Sequence, residues 1–568
     1  MKKIYPFAFL MAIIVPNQIF SQSSTLNRTN DPVILKGANL PSFLGLSPSA
    51  IVAFRFTTGS WQQIPVQVDE MAWLDIVTPY GPYADDEGYP PPTGVNELFY
   101  SDAGTYTGAD PDAGFDLDDE LVFMAKDAGG QNTAATNPAG VVNGTCQEMM
   151  ISDPLGGVSF VYLFQQDGSL QPGAGISYVS YTYQLSNGGT YPVNFTFLNA
   201  INNENSLVST ANYSWHFSAE WISDELKIAK GGAPNTDILD RHKNFYANNN
   251  CVRSETTFSE GDNAFVTNKV GPIRAIRSYM GANSGPLTQR THLFYLGRQD
   301  ILTDLRVHNI ASMYDAIDYA SGVNGSKYYN NLNISGVVIN GAKDAVTLGD
   351  ISWELFSGSK GSLVLLHRRN TNISSSEATF TSYYDDNKTK AGSKCTGDGQ
   401  AWGTSGVGTK FLNGSVCTDP LSNGCGIASS WFRTLRAIRI VYFESPNGTT
   451  GLASSYNNQW NNPLSVIAGS CTVTSGRMKE ISTQSAAGIR IYPNPVSQTC
   501  ILSFNAGNMH TTQVNLYNVA GSLVRTYSIS VQPGNNLHEI SMRNLVPGTY
   551  YLKLITSKQV SIQKLIVQ

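Results

Sequence analysis

The chain has 568 residues, 41% hydrophobic and 14% charged, with a formal net charge of −6. Such a length predicts several domains of ~100–200 residues each, and the hydrophobic content is enough for packed cores, which excludes disorder as the default. The charged fraction is well below the usual ~25%, and no basic block is present, so nucleic-acid or anionic-membrane binding has no electrostatic support.

Residues 1–21 have the layout of a secretory signal peptide. Lys2 and Lys3 precede an apolar run from Phe7 to Val15, and Ser21 stands before a cleavage point at Gln22. The run falls short of the ~20 residues that span a bilayer, and Pro16-Asn17-Gln18 ends it. An exported chain with no membrane span is expected. The 52 glycines and 28 tyrosines suit an extracellular β-protein, with Gly and Asn in turns and Tyr and Thr in strands.

Residues 22–165 read as an N-terminal β-rich unit. Ser49–Thr57 is a strand, and Trp61–Val68 another, with Ile64, Val66 and Val68 alternating against Gln63, Gln67 and Asp69. Pro65 places it at an edge. A Pro/Gly/Tyr-rich loop, Thr78–Gly94, leads to an acidic turn, Asp110–Glu120, followed by strands at Leu121–Ala125 and Val158–Gln165. In the turn, Asp110, Asp112, Asp116 and Asp118 are alternate carboxylates in a glycine-containing loop, which suits a hard cation such as Ca²⁺. The pattern departs from the EF-hand loop at Gly114. A solvated, self-capped turn is the alternative.

Residues 166–470 form the body. Strand-like runs recur at Ser177–Leu185, Val193–Leu198, Ser214–Phe217, Ile273–Met280, Arg290–Leu296, Ile301–Ile310, Leu363–His367 and Ile438–Phe443, with Gly, Asn and Pro between them. This spacing predicts stacked sheets and not βαβ units, so an all-β fold with a large multi-stranded β-sandwich body is expected. A short helix is expected around Glu220–Lys230.

Two clusters in the body could carry chemistry. The first is a repeated Arg-x-His, Arg290-Thr291-His292 and Arg306-Val307-His308, on strands joined by a Gly297–Asp300 turn. Period two sets Arg290, His292 and Phe294 on one face, and Asp304, Arg306 and His308 on one face of the next strand, and if the two strands pair both polar sets can share a single face. Arg can hold a carboxylate, and His or Tyr can move protons near neutral pH. β-Elimination of a uronic acid needs those roles. The second cluster, Asp240–Tyr246, combines His242, Lys243, Asn244 and Tyr246 with Trp215 and Trp221 upstream. Aromatic rings stack on sugar faces, and the polar neighbours supply hydrogen bonds. A salt-bridged hairpin face and an ordered surface loop are the competing structural readings. No Gly-x-Ser-x-Gly elbow, His-Glu-x-x-His, phosphate loop or dinucleotide fingerprint occurs.

The seven cysteines lie at 146, 251, 395, 417, 425, 471 and 500. Without a Cys-x-x-Cys pair or a nearby His, they read as structural disulfides of an exported protein. Cys395, Cys417 and Cys425 would restrain a local loop, and Cys500 is the first candidate for the odd free thiol.

A polar Ser/Thr/Gly-rich linker, 471–489, precedes a final segment, 490–568. That segment opens with Tyr492-Pro493-Asn494-Pro495, continues through Leu516-Tyr517-Asn518-Val519-Ala520-Gly521, and includes Gly548-Thr549-Tyr550-Tyr551-Leu552-Lys553. It resembles the C-terminal sorting domain of type IX secretion cargo. The resemblance implies a small seven-stranded Ig-like β-sandwich, recognition by the outer-membrane secretion machinery, and delivery through the periplasm to the cell surface or the medium. It does not choose an activity. Two functions stay open. One is a polysaccharide-active enzyme, lyase-like on an acidic glycan or a glycoside hydrolase, using Arg290, His292, Arg306, His308, His242 and Tyr246. The other is a non-catalytic glycan-binding or cell-surface structural protein.

Overall fold

A computed structural model describes the chain except residues 1–23, 76–95, 135, 187, 189–202, 247–252, 261–262, 282–287, 306–310, 388–401, 413–433, 472–489, 493–495, 497–498, 507–509, 519–522, 532–533, 544, 556–559 and 568. The described residues are almost entirely β-stranded and fall into two compact units that divide after Val473.

In the first unit, a five-stranded sheet has the order Ser465–Ser470, Gln147–Ser152, Val158–Gln165, Ile51–Thr57, Ser60–Ile64. The last of these is an edge that stops before Pro65, and Gln67–Asp69 pairs in a different, three-stranded sheet, so the expected Trp61–Val68 strand is split in two. One face of the sheet packs Ile51, Ala53, Val161 and Leu163 against Leu35, Leu121 and Phe123 of a three-stranded sheet. The other face is aromatic, with Trp61 edge-on to Phe54, Phe56, Tyr162 and Phe164. Cys146 and Cys471 form a disulfide that ties the end of the body to these first strands. The proposed Cys395, Cys417 and Cys425 bridges lie outside the described residues.

The body is built on a nine-stranded antiparallel sheet. Its central strands include Ala275–Gly281, Gln289–Phe294, Arg298–Leu305, Leu435–Glu444 and Gly361–Thr371, in that order. Ala275–Gly281 and Gln289–Phe294 are buried at every position, so both of their faces are covered. Ile276 and Leu293 meet Val122 and Met124 of the N-terminal strands. Arg274 strengthens that junction through Asp69 and Glu120, at 2.8 and 2.6 Å. On the opposite face, Ala275, Phe294, Ile301, Leu365 and Val441 share one core with Val208, Trp215 and Phe217 of a four-stranded sheet. Ile317 and Tyr319 of a five-stranded sheet join the same core.

Two expectations change. Residues Ser223–Ile228 form a strand and not a helix, because Leu226 and Ile228 alternate into the core and the segment pairs with Tyr213–Phe217. The Arg290 and Arg298 strands do pair, but Arg290 lies opposite Thr303, and Asp304 lies opposite Gln289. Asp304 is therefore on the other face, where it binds Arg436 at 2.6 Å. A register one residue different reverses every side chain. The tight connection at Leu296-Gly297, followed directly by the Arg298–Leu305 strand, sets this register.

The second unit has a three-stranded sheet, Arg490–Tyr492, Thr499–Ala506 and Gly534–Ser541, and a four-stranded sheet, Leu523–Val531, His510–Asn518, Gly548–Ile555 and Val560–Val567. Leu502, Phe504, Val514, Leu516, Leu552 and Leu554 form its core. Cys500 is buried in that core as a free thiol, its pKa pushed up to about 11 by burial.

Candidate functional site

Cross-strand pairing places polar residues in two adjacent rows on the inner face of the nine-stranded sheet. One row runs Arg277, His292, Ile301, Arg439, His367; the next runs Tyr279, Arg290, Thr303, Ala437, Arg369. Directly opposed residues of an antiparallel pair project to the same side, so these side chains converge although they come from five strands. The facing five-stranded sheet contributes His242, Asn244 and Asp315, with Asn244 opposite Asp315 in the pairing.

Asp315 is the hub. His242 Nε2 lies 2.7 Å from its Oδ1 and 3.0 Å from Arg439 Nη1. Arg439 Nη1 lies 3.2 Å from Oδ1 and Arg290 Nη2 3.4 Å from Oδ2. Burial alone would raise the Asp315 pKa, but Arg439, Arg290 and His242 together hold it well below the usual carboxylate range. Arg290 also donates to Thr303 Oγ1 at 3.0 Å and Asn244 Oδ1 at 2.5 Å. His292 is held at both nitrogens: Gln299 Nε2 donates to Nδ1 and Nε2 meets the Tyr279 hydroxyl, each at 2.9 Å. A ring that accepts at Nδ1 is neutral, consistent with burial and the neighbouring Arg290 pushing its pKa well below 6.5. Burial, with help from Arg290 and Arg439, lowers His242 to about 4. Alongside, Arg277 forms a two-bond pair with Glu204 at 2.8 Å, and His367 Nε2 bonds Glu354 Oε2 at 2.8 Å. Each guanidinium of this layer thus faces a carboxylate, with Asp315 shared by Arg290 and Arg439.

The structure brings Arg290, His292 and His242 into one network, with the His242 and His292 ring centroids 6.4 Å apart. Their exposures are 0, 0 and 1%, and Phe217 and Trp215 pack edge-on against the two rings. Tyr246 ends the Leu239–Tyr246 strand, its side chain outside the described residues, as are Arg306 and His308 entirely. The sequence reading missed Asp315, Arg439, Asn244 as a ligand of Arg290, and the Arg277–Glu204 pair. No local motif marks them, because each contact joins different strands.

Next to the network, a crevice of about 40 Å³ is lined by Asp315, His367, Arg369, Met313 and Phe380, among others. It has room for a few waters and not for a sugar ring. Arg369 lies over the Phe380 ring at 3.6 Å and also pairs with Asp350.

In the acidic turn the carboxylates separate into two groups. Asp110 Oδ1 accepts from the Asp112 N–H at 3.0 Å, and Asp112 Oδ1 from Gly114 at 3.3 Å, which are turn caps. Asp116, Asp118 and Asp119 each offer an oxygen within 4.8 Å of the others, a spacing that could coordinate a divalent cation. Asp119, absent from the expected set, is fixed by the N–H groups of Met71 and Asp116 at 2.8 and 2.9 Å. Burial, together with Asp116, raises both Asp118 and Asp119 to about 6.

Comparison with known proteins bears on the C-terminal unit. Residues 490–568 match the family model of the secretion system C-terminal sorting domain, so the chain carries that domain and is built for export by the type IX machinery. No curated protein matches the chain. Among solved structures, an α-mannosidase from Enterococcus faecalis aligns at 7% identity over 91% of this chain and 54% of its own, with a TM-score of 0.33. A glycosyl hydrolase family 38 protein from the same organism aligns at 7% over 92% and 56%, with a TM-score of 0.31. The chain thus spans little more than half the length of either. Among the described residues, no helix is long and apolar enough to cross a membrane.

Proposed function

We propose that the chain is an exported type IX cargo whose body, read as a large β-sandwich ahead of a small Ig-like sorting sandwich, is a glycan-binding surface protein and not a catalyst at the Arg290–His292 pair. A signal peptide at residues 1–21 would start its route through the periplasm. The observation that carries this reading is the sealing of Arg290, His292 and His242 at 0–1% exposure, each already bonded to protein groups. A general base must reach the proton it removes, and a guanidinium that binds a uronate must meet solvent.

A second reading, β-elimination on an acidic glycan, draws support from Asp315. It holds His242, Arg290 and Arg439 and also lines the crevice beside Arg369 and His367. Entry of a sugar there would require the two sheets to part.

One experiment separates the two. The secreted protein is incubated with alginate, polygalacturonate, xylan, laminarin and mannan, following the absorbance of a 4,5-unsaturated uronate, and run in native gels containing each glycan. Retardation without absorbance supports binding. A rise in absorbance abolished by Arg290→Ala and by His292→Ala establishes the lyase. Neither response overturns both readings.

A further inference from the structure

The outer face of the four-stranded sheet carries a site that no motif announced. Tyr213, Trp215, Phe217, Leu226 and Ile228 of this sheet enter the core. The intervening residues face out, and pairing aligns Thr182, Leu207, His216 and Glu225 in one row across all four strands. The register shifts at the end of that row: His216 lies opposite Glu225 and Phe217 opposite Ser223, leaving Asp224 as the extra residue of a β-bulge. Bulges re-aim side chains. Here the Asp224 carboxylate turns onto the row and Oδ1 meets His216 Nδ1 at 2.6 Å. The ring is thereby oriented, with its Nε2 3.0 Å from Asn205 Oδ1. These residues border an open groove of about 400 Å³ lined by Thr182, Gln184, Asn205, Leu207, His216 and Glu225.

We propose that this groove is a subsite for one neutral, hydroxyl-rich sugar residue of a glycan, which rests on the glycan-binding reading above and gives it a place and a ligand class. The volume falls within the range of small-molecule sites, roughly 300–1,000 Å³. Sugar hydroxyls both donate and accept, and the Gln184 and Asn205 amides, the Thr182 hydroxyl and the Glu225 carboxylate answer both roles. Leu207, 36% exposed in the middle of the row, offers the apolar patch on which ring C–H groups rest. Lys227 holds Glu225 through Oε2. Two carboxylates at the end of the row, Asp224 and Glu225, repel a uronate and select a neutral ring.

The test is native gel electrophoresis of the secreted protein in xylan, laminarin or mannan, with alginate as the acidic comparison. Wild type is expected to be retarded by at least one neutral glycan. Glu225→Gln, which removes a charged acceptor, should weaken retardation about tenfold, the effect of losing one charge-assisted hydrogen bond, and Leu207→Trp, which fills the groove, should weaken it as well. Both positions are partly exposed, so neither change empties a core. Retardation of both variants equal to wild type overturns the subsite while leaving glycan binding in place. Retardation by alginate alone overturns the neutral class. No retardation by any glycan overturns the subsite together with the reading on which it rests.

Discussion

His242 and Asp315 come from neighbouring strands of one sheet and meet at 2.7 Å, at a point where Arg290 and Arg439 arrive from the sheet opposite. One carboxylate therefore anchors two guanidinium groups and an imidazole between the layers. Removing one partner of a buried ion pair leaves the others uncompensated, which costs far more than an exposed pair is worth. Asp315→Ala should destabilise the first unit by about 3–5 kcal/mol. Arg436→Ala, which breaks a pair that reaches solvent on its Arg436 side, should cost less, about 1 kcal/mol. Denaturant unfolding of the two variants checks the ranking, and equal losses would remove Asp315 from its central role.

The same layer predicts opposite pH responses. The His242 pKa is depressed from 6.5 to about 4, so its contribution is complete above the unfolded value and is lost as pH falls through the folded one. On the outer face of the same sheet, burial raises Asp318 to about 7, so its contribution is present at low pH and is lost as pH rises through that value. Relative to wild type, Asp318→Asn should gain stability as pH rises from 4 to 7, and His242→Gln should gain as pH falls from 6.5 to 4. Chemical denaturation across that range reads both signs directly.

Asp118 and Asp119 both titrate near 6. Their raised values mean that ionisation opposes folding, so the stability present below the unfolded pKa is lost as pH rises through 6. Ca²⁺ held by Asp116, Asp118 and Asp119 would reverse that loss. Millimolar Ca²⁺ should raise Tm at pH 7.5 and have little effect at pH 5, and Asp119→Asn should abolish the increment. A Tm indifferent to Ca²⁺ at both pH values would show the trio to be a capped turn.

Cys500 and the Cys146–Cys471 pair should behave differently toward thiol chemistry. The Cys500 thiol is buried and its pKa lies near 11, and the reactive species is the thiolate. It should resist iodoacetamide until the sorting domain unfolds. Cys146→Ser/Cys471→Ser should cost roughly 2–5 kcal/mol, since the bridge closes a long loop. Mass spectrometry of alkylated protein and a comparison of melting curves would check the two statements.

Deleting residues 490–568 should leave the body intact but block export, because the sorting domain is a compact unit with its own core. Cell fractionation should then find the truncated chain retained in the periplasm and absent from the medium.

Arg290 and His292 were visible in the sequence because strand alternation places i and i+2 on one face, and they do share one. Asp304 was placed on the wrong face, since alternation says nothing about register between strands. The segment after Glu220 was misjudged because its composition tolerates a helix, and only the neighbouring strand decided otherwise. Asp119 went unnoticed beside Asp118 because alternation favours every second carboxylate, whereas a turn can bring adjacent ones together.

By itself the sequence determined the β character of the chain and the sorting domain, since turn residues, strand alternation and the motifs of residues 490–568 are all local along the chain. Tertiary structure alone decided that Asp315 collects Arg290 and Arg439, and that a bulge turns Asp224 onto His216. The physical reason is that central strands buried on both faces lose the polar–apolar alternation that identifies an inner face, and that charges from separate strands acquire partners only once pairing register and sheet packing are fixed.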